Sequence, residues 1–250
     1  MNQLPLAIIG SALGTAILPA VSRHVGQGDA PGASKLQGQA TELAMLLTLP
    51  AATALAVCAG PIISAIYQGQ RFSASDAATT ALVLSIIVAG LPAYVMTKVL
   101  TPGFYARKDM KTPVLVALLA LAIGVAANFA LIPLIGIAAL PATTAASAWL
   151  NTLILYVLLV RRGHFRFEGW LASRLIRQLI AAGAMAAALY GVQLLLGDRF
   201  AGSAGDRLLG VGALVTVGGI VYFGVAWVIG AMNRDDVLIL LRRKAPVSDQ

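Results

Sequence analysis

Charge is scarce in this chain: only 11% of its 250 residues are Asp, Glu, Lys or Arg. A soluble domain carries about 25%, because its surface must be hydrated. A chain this poor in charge cannot cover its own core with polar groups, so most of its surface faces something other than water. Cysteine is scarcer still. Cys58 has no second cysteine to pair with, which excludes a disulfide-stapled secreted module. Low charge combined with 59% apolar residues also excludes intrinsic disorder. Aromatics reach only 6%. The net charge of +8 therefore comes without the aromatic-interleaved basic patch of a nucleic-acid binder, and no nucleic-acid partner is expected.

Catalytic groupings are missing as well. His24 and His164 have no second His or Cys at ligand spacing, so no metal site is expected. The GVGALVTVGG run from Gly210 lacks the lysine of a phosphate-binding loop. Ser11, Ser64, Ser85 and Ser147 lie in apolar stretches without a histidine partner, and their hydroxyls are expected to bond the preceding helical turn. Neither an enzyme nor a cofactor is expected.

What is present is a series of long apolar runs, with a mean hydropathy of +0.85 over the chain. A helix needs about 20 apolar residues to cross a hydrocarbon core of roughly 30 Å. Seven runs meet or approach that length: residues 4–21, 43–67, 77–99, 112–135, 138–160, 179–196 and 208–232. In lipid every backbone polar group must be satisfied internally, and these runs far exceed the roughly 10-residue strands of a barrel. The expected fold is all-α, a polytopic transmembrane helical bundle of about seven membrane helices. Pro50 and the Gly60–Pro61 pair are expected to interrupt the second run and Pro92 the third, with Pro133 closing the fourth. Gly10, Gly14, Gly183, Ala187 and Gly191 are expected at close helix contacts.

Lys and Arg set the orientation. Fifteen lie in alternate connections and the tail, among them Arg23, Lys35, Lys98, Arg107, Lys108, Lys111, Arg161, Arg162, Arg166, Arg174 and Arg177, and three (Arg71, Arg199, Arg207) on the other side. The positive-inside rule makes the richer side, and the C-terminus, cytoplasmic. The first run begins almost at Met1 without a basic stretch before it, unlike a signal peptide. It reads as the second half of a longer helix, in a C-terminal fragment or a chain with a mis-set start.

Intramembrane polar groups are costly and default to functional candidates. Glu42, at the start of the second run, reads as an interfacial acid at a helix N-terminus. Lys98 reads as a snorkelling cation. Asn128, midway along the fourth run, either bridges helices or lines an aqueous cavity; Glu42 and Asn128 are the cavity candidates. The loop carrying Gly103, Phe104, Tyr105, Arg107, Lys108, Lys111 and Pro113 places aromatics and cations at the interface, as a topology anchor or an anionic-lipid contact. Residues 233–244 read as a short helix lying on the inner surface.

Two stretches resemble a known family. LPLAIIGSALGTAILPAVSRHVGQGD (residues 4–29) is similar to the eighth helix and following loop of the MurJ (MviN) lipid II flippase family, and PGFYARKDMKTPV (102–114) to the loop between its tenth and eleventh helices. The intervening LLTLPAATALAVCAGPIISAIYQGQRF (46–72) agrees in spacing. The resemblance implies a fourteen-helix transporter of the multidrug/oligosaccharidyl-lipid/polysaccharide exporter superfamily in the bacterial inner membrane. Its substrate would be lipid II, the undecaprenyl-pyrophosphate-linked disaccharide-pentapeptide used in peptidoglycan biosynthesis, moved by alternating access. Other partners implied are membrane lipids, a coupling ion and an N-terminal lobe missing here, which carries the family's substrate-contacting arginines. On this register residues 1–165 are the C-terminal lobe bundle, 166–232 two added helices whose apolar faces take the lipid tail, and 233–250 a cytoplasmic tail. For the sodium site of some members Asn128 is the candidate participant, with no aspartate in the fourth or fifth run beside it. The rival readings are another lipid-linked oligosaccharide or drug exporter of the superfamily, and a non-transporting membrane scaffold.

Overall fold

The computed structural model describes residues 12–67, 73–166, 168–195 and 204–232, and has helices and no strand among them. Among the described residues nine α-helices follow in chain order: α1 (Ala12–Gly26), α2 (Ala30–Val57), α3 (Ala59–Tyr67), α4 (Ala74–Val88), α5 (Leu91–Tyr105), α6 (Lys111–Ile135), α7 (Ala139–Arg161), α8 (Gly169–Leu195) and α9 (Ala204–Val228). Among the described residues, five segments are long and apolar enough to cross a membrane: Ala30–Val57, Ser75–Tyr105, Lys111–Arg161, Gly169–Leu195 and Leu209–Val228. The third has 51 residues, about 77 Å of helix at 1.5 Å per residue, more than twice one crossing. It doubles back at Gly136, whose φ of +57° favours a residue without Cβ, and through the short 3-10 turn Gly136–Ala138. The chain is a polytopic helical membrane protein. With α6 and α7 counted separately the segments make six crossings. The remaining run, residues 4–21, overlaps α1, and its first residues lie outside the described ones.

Several boundaries differ from the sequence expectation. Helix α2 starts at Ala30, well before residue 43, because the Asp29 carboxylate accepts from the Gly32 N–H at 2.9 Å and caps it. It runs through Pro50 without interruption, since buried Leu46, Leu49 and Ala52 hold both flanks of the single missing hydrogen bond. The break falls at Cys58, and Pro61 occupies the first turn of α3, where its absent N–H costs nothing. The third run breaks at Ala89–Gly90, with Pro92 at the start of α5. Helix α8 begins at Gly169, ten residues before the expected start, because its cations find partners inside the bundle. Gly183 and Gly191 meet no neighbouring atom within 4 Å and face outward, so they are not packing sites. Gly14 is one: a Cβ there would stand 3.2 Å from the Lys98 carbonyl. The surface helix expected at 233–244 lies outside the described residues.

Helix α2 is the hub. Leu46 and Leu49 pack with Met185, Leu189, Leu214 and Tyr222 of α8 and α9, while Ala40 and Ala44 meet Val95 and Val99 of α5 and Ile17 and Val21 of α1. A third cluster joins Leu100, Phe104, Leu155, Leu159 and Phe165. Lipid tails are as apolar as leucine, so this cohesion comes from close packing and interhelical hydrogen bonds. Three basic connections share one end of the bundle. Arg162 pairs with Asp109 at 2.5 Å, and the Arg166 N–H donates to Ser34 Oγ at 2.9 Å.

Candidate functional site

On α6, Ala117, Ala120, Gly124 and Asn128 recur at three- and four-residue spacing, as do Leu140, Thr143/Thr144, Ser147 and Asn151 on α7. Residues so spaced share a helix face. The small ones leave room, and with Tyr94 of α5 they line a groove of about 450 Å³. That volume falls within the range of about 300–1,000 Å³ for small-molecule sites.

Most of its polar atoms are spent internally. Thr143, Thr144 and Ser147 donate to the carbonyls of Ala139, Leu140 and Thr143 at 2.9, 2.7 and 2.7 Å, as expected for hydroxyls in apolar helices. The Tyr94 hydroxyl donates to the Thr144 carbonyl at 3.3 Å. Asn151 Nδ2 donates to Thr97 Oγ1 at 3.3 Å, and Thr97 Oγ1 lies 2.8 Å from Thr152 Oγ1. Two acceptors are left over: Asn128 Oδ1 and Asn151 Oδ1 are both buried without a hydrogen-bond partner. Asn128 lines the groove, and its Oδ1 receives no hydrogen bond from a neighbouring helix. Its neighbours there are neutral. Amide and hydroxyl oxygens without a carboxylate make a poor cage for a hard cation, and the described residues contain no group of three or more His, Cys, Asp or Glu.

Glu42 lies elsewhere. It is not at a helix N-terminus but in the interior of α2, with its side chain 6% exposed, and it forms an ion pair with Arg174 of α8. Gln178, one turn beyond Arg174, donates to the Glu42 backbone carbonyl at 3.3 Å. Glu42 therefore belongs to the interface between α2 and α8 and does not line the groove. The sequence signal for this was Arg174 and Gln178 at i and i+4, which reads as loop charge unless α8 is known to start at Gly169.

The loop after α5 is built rather than merely anchored. Gly103 is required because a Cβ would stand 2.7 Å from Gln37 Nε2, which donates to the Val99 and Leu100 carbonyls. Phe104 is buried, and the Arg162 guanidinium stands over its ring at 5.8 Å. Arg107 donates to the Gly103 carbonyl at 2.7 Å, and its burial lowers its pKa. Lys108 has φ +61°, a left-handed conformation uncommon outside glycine. Asp109 accepts from the Thr112 side chain and N–H and from Arg162, which lower its pKa to about 2. Burial, then the nearby Arg107 and Arg162, lowers the pKa of His164. Tyr105 and Lys111 stay exposed, whereas Pro113 is buried in the first turn of α6.

Fold and groove define the class: a polytopic, all-helical membrane protein with an open, uncharged and largely apolar groove between α5, α6 and α7. A family model described as lipid II flippase MurJ matches residues 1–203. The chain belongs to the MurJ lipid II flippase family. It is 36% identical to the probable lipid II flippase MurJ of Rhizobium tropici over 99% of this chain and 47% of that protein. It is 34% identical to the one from Rhizobium meliloti, over 98% and 46%. With the lipid II flippase MurJ of Burkholderia cenocepacia it shares 33%, over 92% and 45%. The solved structure of lipid II flippase MurJ in its inward closed conformation superposes with a TM-score of 0.64 at 19% identity, covering 96% of this chain and 46% of that one, which makes the fold the same. The chain spans about half the length of the relatives it matches.

Proposed function

We propose that the chain is one lobe of a lipid II flippase, a transporter and not an enzyme. What carries the reading is the 36% identity that runs along 99% of this chain to a protein bearing that name. Residues 1–165 form the lobe proper, 166–232 the two added helices and 233–250 a tail. The fifteen-cation side faces the cytoplasm, with the C-terminus on it. The complementary half of the relatives supplies the other wall of a central cavity, and the lobes rock about it so that the headgroup meets one side of the membrane and then the other. The resemblance adds a coupling ion, but no step here is routed through one.

Photoactivatable lipid II in membranes holding this chain tests the reading. Crosslinking that unlabelled lipid II suppresses and undecaprenol does not is expected. Crosslinking that both suppress equally, or none at all, defeats it. The chain alone is expected to give no translocation of fluorescent lipid II across proteoliposomes, since half the cavity is missing.

A further inference from the structure

Two of the apolar segments are broken along their length, and the breaks lie side by side. Beyond the first, at Cys58, α3 adds nine residues, about 13 Å of helix. The second, at Ala89–Gly90, follows the fifteen residues of α4, about 22 Å. Ser85 Oγ donates to the Ala81 carbonyl of its own helix at 2.9 Å and to the Ala56 carbonyl at 3.2 Å. That contact sets the last turn of α4 against the last turn of α2.

Backbone groups freed inside a membrane must find partners. At both breaks a donor comes from another helix. The Val57 carbonyl finds no N–H at Pro61, four residues on, and accepts from Gln193 Nε2 of α8 at 3.0 Å. The same amide reaches Cys58 Sγ at 3.7 Å. The Ala89 carbonyl accepts from the Trp149 indole of α7 at 2.9 Å. Gly90 seats directly on α7, where a Cβ would stand 3.0 Å from Ala145 Cα.

Helices α3 and α4 also have a core of their own. Ala59 and Ile63 are buried together with Ala77, Ala81, Leu84 and Val88, and no buried residue of another helix belongs to that cluster among the described residues. A helix pair with its own core, joined to the bundle through two adjacent breaks, can keep its shape while its angle changes. Hinge closures use such element-terminal residues.

We propose that α3 and α4 open as one flap about the paired breaks at Cys58 and Ala89–Gly90, latched shut by Gln193 and Trp149. The inference goes beyond the transport reading and stands without it.

Cys58 reports on the motion, because it is the single cysteine of the chain and is 4% exposed. The experiment follows its labelling by N-ethylmaleimide in the 250-residue chain held in phosphatidylcholine nanodiscs. Labelling that waits on opening scales with the open population. Gln193→Leu should speed it about fivefold, as loss of one hydrogen bond requires. Trp149→Phe, at the other break, should speed it by a similar factor, and the double variant by about twenty-fivefold. Arg177→Gln, which removes a contact of α8 with the Gly230 carbonyl, should label as wild type does. Spin labels at Ile66→Cys and Leu194→Cys, both exposed positions, should move apart when Gln193→Leu is added to a Cys58→Ala background. A pair at Ile66→Cys and Leu82→Cys, within the flap, should keep its spacing. Unchanged labelling in Gln193→Leu overturns the latch. Unchanged labelling in Trp149→Phe overturns the joint motion of the two breaks. Arg177→Gln labelling as fast as Gln193→Leu would make the signal a general loosening, and the inference fails. None of these results touches the lipid II reading.

Discussion

Arg162 Nη1 lies 2.5 Å from Asp109 Oδ2 and ties the loop after α5 to the end of α7. Asp109 also accepts from Thr112, so one carboxylate caps α6 and holds two connections together.

This gives a pH dependence with a definite sign. Asp109 has its pKa lowered from 3.8 to about 2, so the stability it contributes is present above 3.8 and is lost as pH falls towards 2. Thermal unfolding in detergent followed by circular dichroism should show Asp109→Ala about 1 kcal/mol less stable at neutral pH, the usual cost of losing a cap. The difference from wild type should shrink below pH 3.8. An equal difference at pH 2 and pH 7 would remove the carboxylate from the explanation.

The buried Glu42–Arg174 pair predicts non-additivity. Removing one partner leaves an uncompensated charge, at about 3–5 kcal/mol when fully buried. Arg174 keeps 21% of its side chain exposed, so Glu42→Gln should cost less, about 2 kcal/mol. Combined with Arg174→Met the loss should largely vanish. Single losses that simply add in a double-mutant unfolding cycle would show that the two residues do not act together.

At the crossing of α6 and α7, a Cβ on Gly124 would stand 2.1 Å from Ser147 Oγ and 3.2 Å from its Cβ. Gly124→Ala should therefore lower the unfolding midpoint by an amount equivalent to about 1–3 kcal/mol of overpacking, despite alanine's better helix propensity. Adding Ser147→Ala should restore most of it. A stabilised Gly124→Ala variant would mean that the helices do not approach this closely.

Lys108, at φ +61°, carries strain that glycine would not. Lys108→Gly should raise stability by up to about 1 kcal/mol, the part of the left-handed penalty left after the added freedom of the unfolded chain. A drop in melting temperature would show that the lysine side chain contributes more than its backbone costs.

The helical membrane architecture was legible because it follows from composition: runs without charge can satisfy their backbones in lipid only as helices. The clustering of basic connections at one end was legible too, and Arg162 beside Asp109 and Arg166 beside Ser34 bear it out. The neutral groove was half legible. Asn128 stood out as a deep amide, while Tyr94, Thr97 and Asn151 carry no local signal and come together only where α5 and α7 lie side by side.

What the amino-acid order determined alone is therefore the set of apolar segments and their family, since both depend on residues close in sequence. Tertiary structure decided where helices break and which polar groups meet. Pro50 stays helical because buried neighbours hold it, and α8 reaches back to Gly169 because Arg174 finds Glu42, 132 positions away. Such partners are chosen by packing across the bundle, and no local pattern encodes the distance between them.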